Sequence, residues 1–149
     1  MDETAGGISG SAAQAARDLR VVFSRLRRRL AEVHDTGELS PSQTSVLTRL
    51  GKEGPATGSV LAAAERVRPQ SMAATLAALD QHGLIRRDPD PEDGRRQLVS
   101  LTPAGRERVE GTLQAREEWL ARTLQDHCTE EERQTVLQAL ALLERVTRM

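Results

Sequence analysis

The segment DPDPEDGRRQLVSLTPAG, from Asp88 to Gly105, places acids, prolines and a glycine directly before two arginines. Asp93-Gly94 is a typical turn sequence. Residues 97–101 then alternate between two faces, as a β-strand does. Thr102-Pro103 follows with the pattern of a helix start, in which a capping residue precedes a proline at the first helical position. The segment therefore predicts a β-hairpin with a basic tip that ends where a helix begins.

Three short helices are predicted before this hairpin, within residues 40–83. Ser40-Pro41-Ser42-Gln43 is a capping box with proline at the first helical position. A second helix is expected to begin at residues 55–57, and a third at Pro69, with Gly83 as its C-terminal stop. The second helix is expected to turn an apolar side inward, formed by Val60, Leu61, Ala64 and Val67.

Long helices are predicted on both sides of this central part. The first runs from about Ala12 to Val33 after an acidic arm, and two more begin after Thr102 and after the capping box at Thr129. Their apolar stripes exceed what the small central part can cover, so they predict a dimer interface. The predicted interface residues are Leu19, Val22, Leu26, Val136, Leu140 and Leu143.

Composition narrows the class of protein. The 149 residues contain a single cysteine, so an internal disulfide is excluded, and no cluster of Cys and His has the spacing of zinc ligands. No apolar run approaches the ~20 residues of a membrane span. No motif of a catalytic triad, phosphate loop or carboxylate pair has a supporting context. We therefore expect a cytoplasmic protein that is not an enzyme, is not embedded in a membrane and has no cofactor or metal.

The charge distribution indicates where a polyanion would bind. The net charge is −1, yet residues 1–30 carry six arginines against three acids, whereas residues 109–149 carry five against eight. Twenty of the 21 basic residues are arginine. The arginine guanidinium group can form two parallel hydrogen bonds to a phosphate or to the edge of a guanine. A GC-rich genome explains the arginine bias equally well.

The helix at Pro69 has the properties of a DNA recognition helix. The face opposite Met72, Leu76 and Leu79 is small and uncharged, which allows close approach to base edges in the major groove. An alanine-rich helix packed on another helix is the alternative, which the following hairpin disfavours. The predicted DNA contacts are Arg66, Arg68, Gln70, Ser71, Ala73 and Ala74.

The hairpin tip is predicted to enter the minor groove, whose negative potential attracts arginine. Arg95 and Arg96 are the candidate groove residues, and Asp93 is expected to form an ion pair that orients Arg95. Asp90 is expected to accept backbone N–H groups in the turn. The alternative is a solvated charged turn.

The same segment resembles the wing of the MarR family, whose common form is D-P-x-D-x-R-x-x-x-L-x-L-T-x-x-G. MAATLAALDQHGLIRR is similar to the family's recognition helix and its exit, and LSPSQTSVLTRL to its second helix. The resemblance covers roughly residues 15–147. The wing positions that match are Asp90, Pro91, Asp93, Arg95, Val99, Leu101, Thr102 and Gly105, with Val99 where the family often has Leu.

The resemblance implies a fold that is mainly α with a small β-hairpin wing, a winged helix-turn-helix between N- and C-terminal dimerisation helices. It divides the chain into an arm and dimerisation helix (1–34), a DNA-binding module (35–102) and C-terminal dimerisation helices (103–149). It implies a homodimeric repressor of a palindromic operator on double-stranded DNA, released by a small anionic or phenolic ligand or by oxidation. In the family Arg or another polar residue often stands at the position of Ala74. Fewer direct contacts to bases, and a larger contribution from DNA shape, are therefore expected here.

Further hypotheses concern residues outside the DNA-binding elements. A ligand cleft is expected between the terminal helices and the central module, with Arg20 or Arg49 in its lining. Cys128, beside His127 and a helix start, allows a redox-sensing regulator, with an inert cysteine as the alternative. A metal site formed across the dimer by His34, His82 and His127 is a further alternative, which their wide spacing disfavours. Trp119 is expected in the core or an interface. A helical protein-interaction module that has lost DNA binding is the alternative of a different class.

Overall fold

The computed structural model describes residues 7–33 and 37–149. In this part of the chain it has six helices and three strands, so the mainly helical fold with a winged helix-turn-helix is confirmed. The elements, in chain order, are α1 (Gly10–Glu32), α2 (Pro41–Glu53), β1 (Ala56–Thr57), α3 (Gly58–Glu65), α4 (Pro69–Gln81), β2 (Ile85–Pro89), β3 (Gln97–Leu101), α5 (Pro103–His127) and α6 (Glu130–Thr147).

The predicted helix starts are confirmed at the capping residues. Ser40 Oγ accepts a hydrogen bond from the Gln43 backbone N–H at 3.2 Å, and Gln43 Oε1 accepts from the Ser40 N–H at 3.0 Å. Thr129 begins α6 with the same reciprocal pair, and Thr102 caps α5. These caps satisfy N–H groups that have no partner within the helix, so local sequence determines where α2, α5 and α6 begin.

The first helix starts earlier than predicted. Ser9 is its N-cap and accepts a hydrogen bond from the Ala12 N–H at 3.2 Å, so α1 already includes residues 10 and 11. The part of the predicted arm from Gly10 onward is therefore helical. The remainder of that prediction, over residues 1–6, and the prediction on His34 lie outside the described residues.

The sheet has one strand more than the hairpin predicts. Its order is β1-β3-β2, with all pairs antiparallel. β2 and β3 form the wing, with Ile85 opposite Leu101 at its base. β1 is two residues long, and Thr57 lies opposite Leu98 on the other edge of β3. Two residues are too few to show the alternation of a β-strand, so the sequence pattern does not predict β1. Its backbone is held in place by pairing with β3.

The hydrophobic core lies in the central module and the first turns of α5. Of the predicted inward face of α3, Leu61 is buried as expected, but the prediction is wrong for Val60, Ala64 and Val67, which are exposed. Ala62 is buried in their place. None of the residues of α1 or α6 is buried. The core residues are Val46, Leu47, Leu50, Leu61, Ala62, Met72, Leu76, Leu79, Leu84, Ile85, Val99 and Val109.

Candidate nucleic-acid interface

The recognition helix α4 has the two faces that the sequence predicts. Met72, Leu76 and Leu79 are buried against the rest of the module. The outer face carries small or uncharged polar side chains, with the exposed Asp80 near its C-terminal end. The exposed residues of this face are Gln70, Ser71, Ala73, Ala74, Ala77 and Gln81.

Two exposed arginines flank the N-terminal end of α4, as predicted. Arg66 is the C-cap of α3 and has a left-handed backbone conformation, with φ 55° and ψ 44°. Arg68 is the N-cap of α4. No side chain caps α4. Because the first N–H groups of a helix carry partial positive charge, the two guanidinium groups and this helix end form one positive surface.

The wing ends in a turn that its acids hold together. Asp90 Oδ1 accepts a hydrogen bond from the Glu92 N–H at 3.0 Å, as predicted for this residue. Asp93 Oδ1 accepts from the Arg95 N–H at 3.1 Å, and the Arg96 N–H donates to the Asp93 carbonyl at 2.9 Å. The acids therefore pair with the backbone of the turn.

The two tip arginines differ in exposure. Arg95 Nε lies 3.4 Å from Asp93 Oδ1, but the Arg95 side chain is 93% exposed. Arg96 Nε lies 3.6 Å from Asp93 Oδ2 and 3.9 Å from Asp90 Oδ2, and its side chain is 54% exposed. The structure therefore brings Asp93 and Arg95 together as predicted, and it folds Arg96 back toward the acids.

The first strand of the wing adds two arginines that the sequence pattern did not single out. Arg86 is exposed, and its Nε lies 3.0 Å from Asp88 Oδ2. Arg87 Nε lies 4.0 Å from Asp80 Oδ2 at the end of α4. Both lie near the base of the wing, where Arg86 is opposite Ser100 and Arg87 is opposite Val99. The available signal was two adjacent arginines that directly follow the exit of the predicted recognition helix.

A cleft of about 650 Å³ lies between α1, α2 and α5. Apolar side chains of α1 and α2, among them Phe23, Leu26 and Leu47, form part of its lining. Arg49 lines this cleft, whereas Arg20 faces a separate depression on α1, so the prediction for Arg20 is wrong. The charged residues of the lining are Arg27, Arg49, Lys52, Glu53, Arg108 and Arg116.

An ion network in the cleft wall joins α2 to the last residue of α3. Ser45 Oγ and Arg49 Nε donate hydrogen bonds to the two carboxylate oxygens of Glu65, both at 2.8 Å. Arg49 Nη1 also donates to Glu53 Oε1 at 3.0 Å. Burial acts to raise the pKa of Glu65, but the bonds from Arg49 and Ser45 and the charges of Arg49 and Arg27 outweigh it, so the pKa is lowered.

Two contacts connect α5 to the end of α1 and to the segment before α2, at the rim of the cleft. Arg116 Nε donates to the Leu30 carbonyl at 2.9 Å, where a cation is favoured at a helix C-terminus. Arg108 Nη2 lies 2.6 Å from Glu38 Oε2 in the segment before α2. Arg116, which lines the cleft, therefore also holds the end of α1 in place.

The predicted dimer residues lie on surfaces that the single chain leaves partly open. Leu19, Val22 and Leu26 of α1 are exposed, as is Leu140 of α6. The remaining two predicted residues, Val136 and Leu143, are half-buried. An apolar face on each terminal helix thus lacks a full covering within the chain.

Cys128 lies at the junction of α5 and α6, and Trp119 lies within α5. Cys128 is half-buried between α5 and α6, and its carbonyl accepts a hydrogen bond from Arg133 Nη1 at 2.6 Å. Trp119 is half-buried, with Arg29 Cζ 5.9 Å from its ring centre.

None of the described helices has the length and apolar character needed to cross a membrane.

The comparison with known proteins decides the family. The model of the MarR family matches residues 39–96. An HTH-type transcriptional regulator of Mycobacterium tuberculosis is 44% identical over 114 residues, which are 76% of this chain and 80% of the relative. The chain belongs to the MarR family. It is a DNA-binding transcriptional regulator of that family with a winged helix fold, and its relatives and fold are not those of an enzyme.

Other relatives and solved structures agree. The HTH-type transcriptional repressor MdtR of Bacillus subtilis is 31% identical, over 76% of this chain and 73% of its own. The crystal structure of a putative transcriptional regulator from Pseudomonas aeruginosa PA01 is 34% identical, with a TM-score of 0.79 over 95% of this chain and 99% of that one. A mutant of MepR from Staphylococcus aureus, solved bound to an oligodeoxyribonucleotide, shares the fold, with 21% identity and a TM-score of 0.65 over 89% and 96% of the two chains.

Proposed function

We propose that this MarR-family regulator is a homodimeric repressor that binds a palindromic operator and is released by a small anionic ligand in the cleft. The observation that carries the proposal is the combination of an uncharged recognition face on α4 with a wing tip whose Arg95 is almost fully exposed. The first surface fits the major groove and the second fits the narrow minor groove.

On α4, Gln70 and Ser71 are the proposed base-reading residues. The Gln70 amide can pair with adenine in two hydrogen bonds, and the Ser71 hydroxyl can bond a base edge. Ala73 and Ala74 let the helix approach the base edges. Arg66 and Arg68 are the proposed phosphate contacts, since they adjoin the positive end of the helix.

On the wing, Arg95 is the proposed minor-groove residue, and Asp93 orients it. Ion pairs on a protein surface add little stability, so the pairs around the tip serve mainly to restrict the arginine rotamers. Arg96, which leans on Asp90 and Asp93, is the proposed contact to the adjoining phosphates.

The proposed homodimer is supported by the open apolar faces of α1 and α6. Apolar side chains remain exposed on both helices, and burial of such area is the main driving force of association. The exposed members are Leu19, Val22, Phe23 and Leu26 of α1 and Leu137, Leu140, Leu142 and Val146 of α6. Two-fold symmetry would place two recognition helices about one DNA turn apart, ~34 Å.

The ligand proposal rests on the cleft between α1, α2 and α5. Its lining combines apolar side chains with five cations and one acid, Glu53. An apolar body with an anionic group complements such a lining. The oxidation alternative would depend on Cys128, and no second cysteine is present to form a disulfide within the chain.

The test is a titration of the purified protein with the DNA upstream of its own gene at several salt concentrations. Each phosphate contact is expected to contribute about −0.9 to the slope of log K against log salt, so a slope of several units is expected. Footprinting is expected to show a two-fold symmetric protected region. Binding that is insensitive to salt, or equal on random DNA of the same length, would favour the protein-interaction module.

A further inference from the structure

The network of Ser45, Arg49 and Glu65 connects the cleft to the DNA-binding helices. Ser45 and Arg49 line the cleft from α2, whereas Glu65 lies outside the lining, at the end of α3. Both partners hold Glu65 at 2.8 Å. A group that binds Arg49 from the cleft therefore acts on the last residue of α3.

Glu65 occupies an unfavourable place for an acid unless it has partners. It is the last residue of α3, where the helix dipole disfavours negative charge. Its side chain is only 16% exposed. A carboxylate in such a site that loses its cation keeps the desolvation cost without the compensating attraction. Glu65 would then be driven toward solvent.

Movement of Glu65 would reach the DNA-binding surface through one peptide bond. Arg66 follows directly and adopts the left-handed conformation that turns the chain toward Arg68 and α4. A left-handed arginine is held by its surroundings, because this region is disfavoured for residues other than glycine. A shift at Glu65 therefore alters the turn that positions the recognition helix.

We propose that Arg49 is the switch of this regulator: an anion in the cleft competes with Glu65 for the Arg49 guanidinium, and the released α3 end moves the turn before α4. This inference rests on the proposed release by a ligand. Arg27 of α1 lines the same cleft and acts on Glu65 through its charge, so the network also includes a helix of the proposed dimer interface.

The experiment measures DNA affinity with and without benzoate, a small aromatic carboxylate, for the full-length protein, Glu65→Gln and Glu38→Gln. Glutamine at 65 keeps a hydrogen-bonding group but removes the charge that makes release costly. Glu38→Gln is the matched control, because Glu38 also pairs with a cleft arginine, Arg108, but lies outside the DNA-binding helices.

Benzoate is expected to weaken DNA binding about tenfold in the wild type and in Glu38→Gln. In Glu65→Gln the change is expected to fall below about twofold. Calorimetric titration is expected to show benzoate bound at least as tightly as in the wild type, because the charged competitor for Arg49 is gone. Loss of a merely structural residue would lower the melting temperature and leave the tenfold response. Should Glu65→Gln fail to fold, Glu65→Asp, which keeps the charge but shortens the reach to Arg49, is expected to show a reduced response.

An undiminished tenfold response in the Glu65 variant that folds would overturn the switch and leave the proposed ligand release standing. No effect of benzoate on the wild type would contradict both the switch and the release by an anion. The salt-dependent DNA titration is independent of benzoate, so it would still test the DNA-binding part of the proposed function.

Discussion

At the wing tip, one arginine is presented outward and its neighbour is held by acids. Arg95 makes a single long ion pair with Asp93, whereas Arg96 lies near both Asp90 and Asp93. The acids of this segment are therefore part of the turn and of the orientation of its arginines. This arrangement favours Arg95 as the residue that reaches deepest into the groove.

Arg95→Ala is expected to weaken operator binding by about 1–3 kcal/mol, because a groove contact is lost. Arg96→Ala is expected to weaken operator binding by a smaller amount. A fluorescence-anisotropy titration at fixed salt is the measurement, and Arg148→Ala, an exposed arginine of the C-terminal end paired with Glu144, is the control of equal charge. Equal effects of the Arg95 and Arg148 variants would contradict the wing assignment.

Arg66 holds a backbone conformation that glycine adopts more easily. A left-handed conformation costs an ordinary residue about 1–2 kcal/mol, whereas glycine costs roughly 0.5–1 kcal/mol in chain entropy. The presence of arginine at this turn is therefore explained by its side chain, which is exposed beside the N-terminal end of α4.

Arg66→Gly is expected to raise the free energy of unfolding by about 0.5–1 kcal/mol, the difference between these two costs. The same variant is expected to bind DNA more weakly, because a phosphate contact is removed. Chemical denaturation and a DNA titration measure the two effects. A variant that is more stable and binds DNA like the wild type would show that Arg66 makes no phosphate contact.

Among the elements, the junction between the wing and α5 explains the Thr-x-x-Gly pattern. Thr102 Oγ1 accepts from the Gly105 N–H at 3.1 Å and donates to the Gly83 carbonyl at 2.6 Å. The Thr102 N–H donates to the Leu84 carbonyl at 3.1 Å. A Cβ atom at Gly105 would collide with that same carbonyl oxygen. The first turn of α5 is thereby packed directly on the exit of α4.

Gly105→Ala is expected to destabilise the protein by about 1–3 kcal/mol or more, because the backbone of Leu84 must move. Gly111→Ala lies in the same helix and meets no atom within 4 Å. It is expected to stabilise the protein by about 0.5–1 kcal/mol through the helix propensity of alanine. Urea denaturation measures both variants, and shifts in the same direction would contradict the close contact.

The single chain buries its central module well but leaves its terminal helices open. The buried residues lie between Val46 and Val109, and α1 and α6 contribute none. Apolar residues that remain exposed on two long helices support the proposed association of two copies. The whole molecule is then the proposed dimer.

Leu140→Glu is expected to convert the protein to a monomer and to abolish tight operator binding. Leu140 is 55% exposed in the single chain, so the substitution disrupts little within one subunit, but it would bury a charge in the proposed interface. Gln138→Glu, exposed on α6, adds the same charge and is expected to remain a dimer. Sedimentation velocity is the measurement, and a dimeric Leu140→Glu protein would contradict this interface.

Local sequence decided the starts of α2, α5 and α6 and the faces of the recognition helix. The caps at Ser40, Thr102 and Thr129 act within three residues, so each can be recognised without knowledge of the fold. The inward stripe of α4 follows from helical periodicity. The strand Gln97–Leu101 was predicted with the bounds that the structure shows, because its alternation and its turn are also local.

Tertiary packing decided what depends on distant neighbours. β1 exists because β3 supplies its hydrogen-bond partners, and Val60 is exposed because α3 turns Leu61 and Ala62 toward the core. The cleft and the Arg49–Glu65 pair likewise require elements that meet only in the folded chain. By itself the sequence therefore determined the order of the helices and of the two wing strands, the starts of α2, α5 and α6, and the chemistry of the recognition helix and wing. Only the tertiary structure decided which residues face the cleft and which pair across it, because those contacts join residues far apart along the chain.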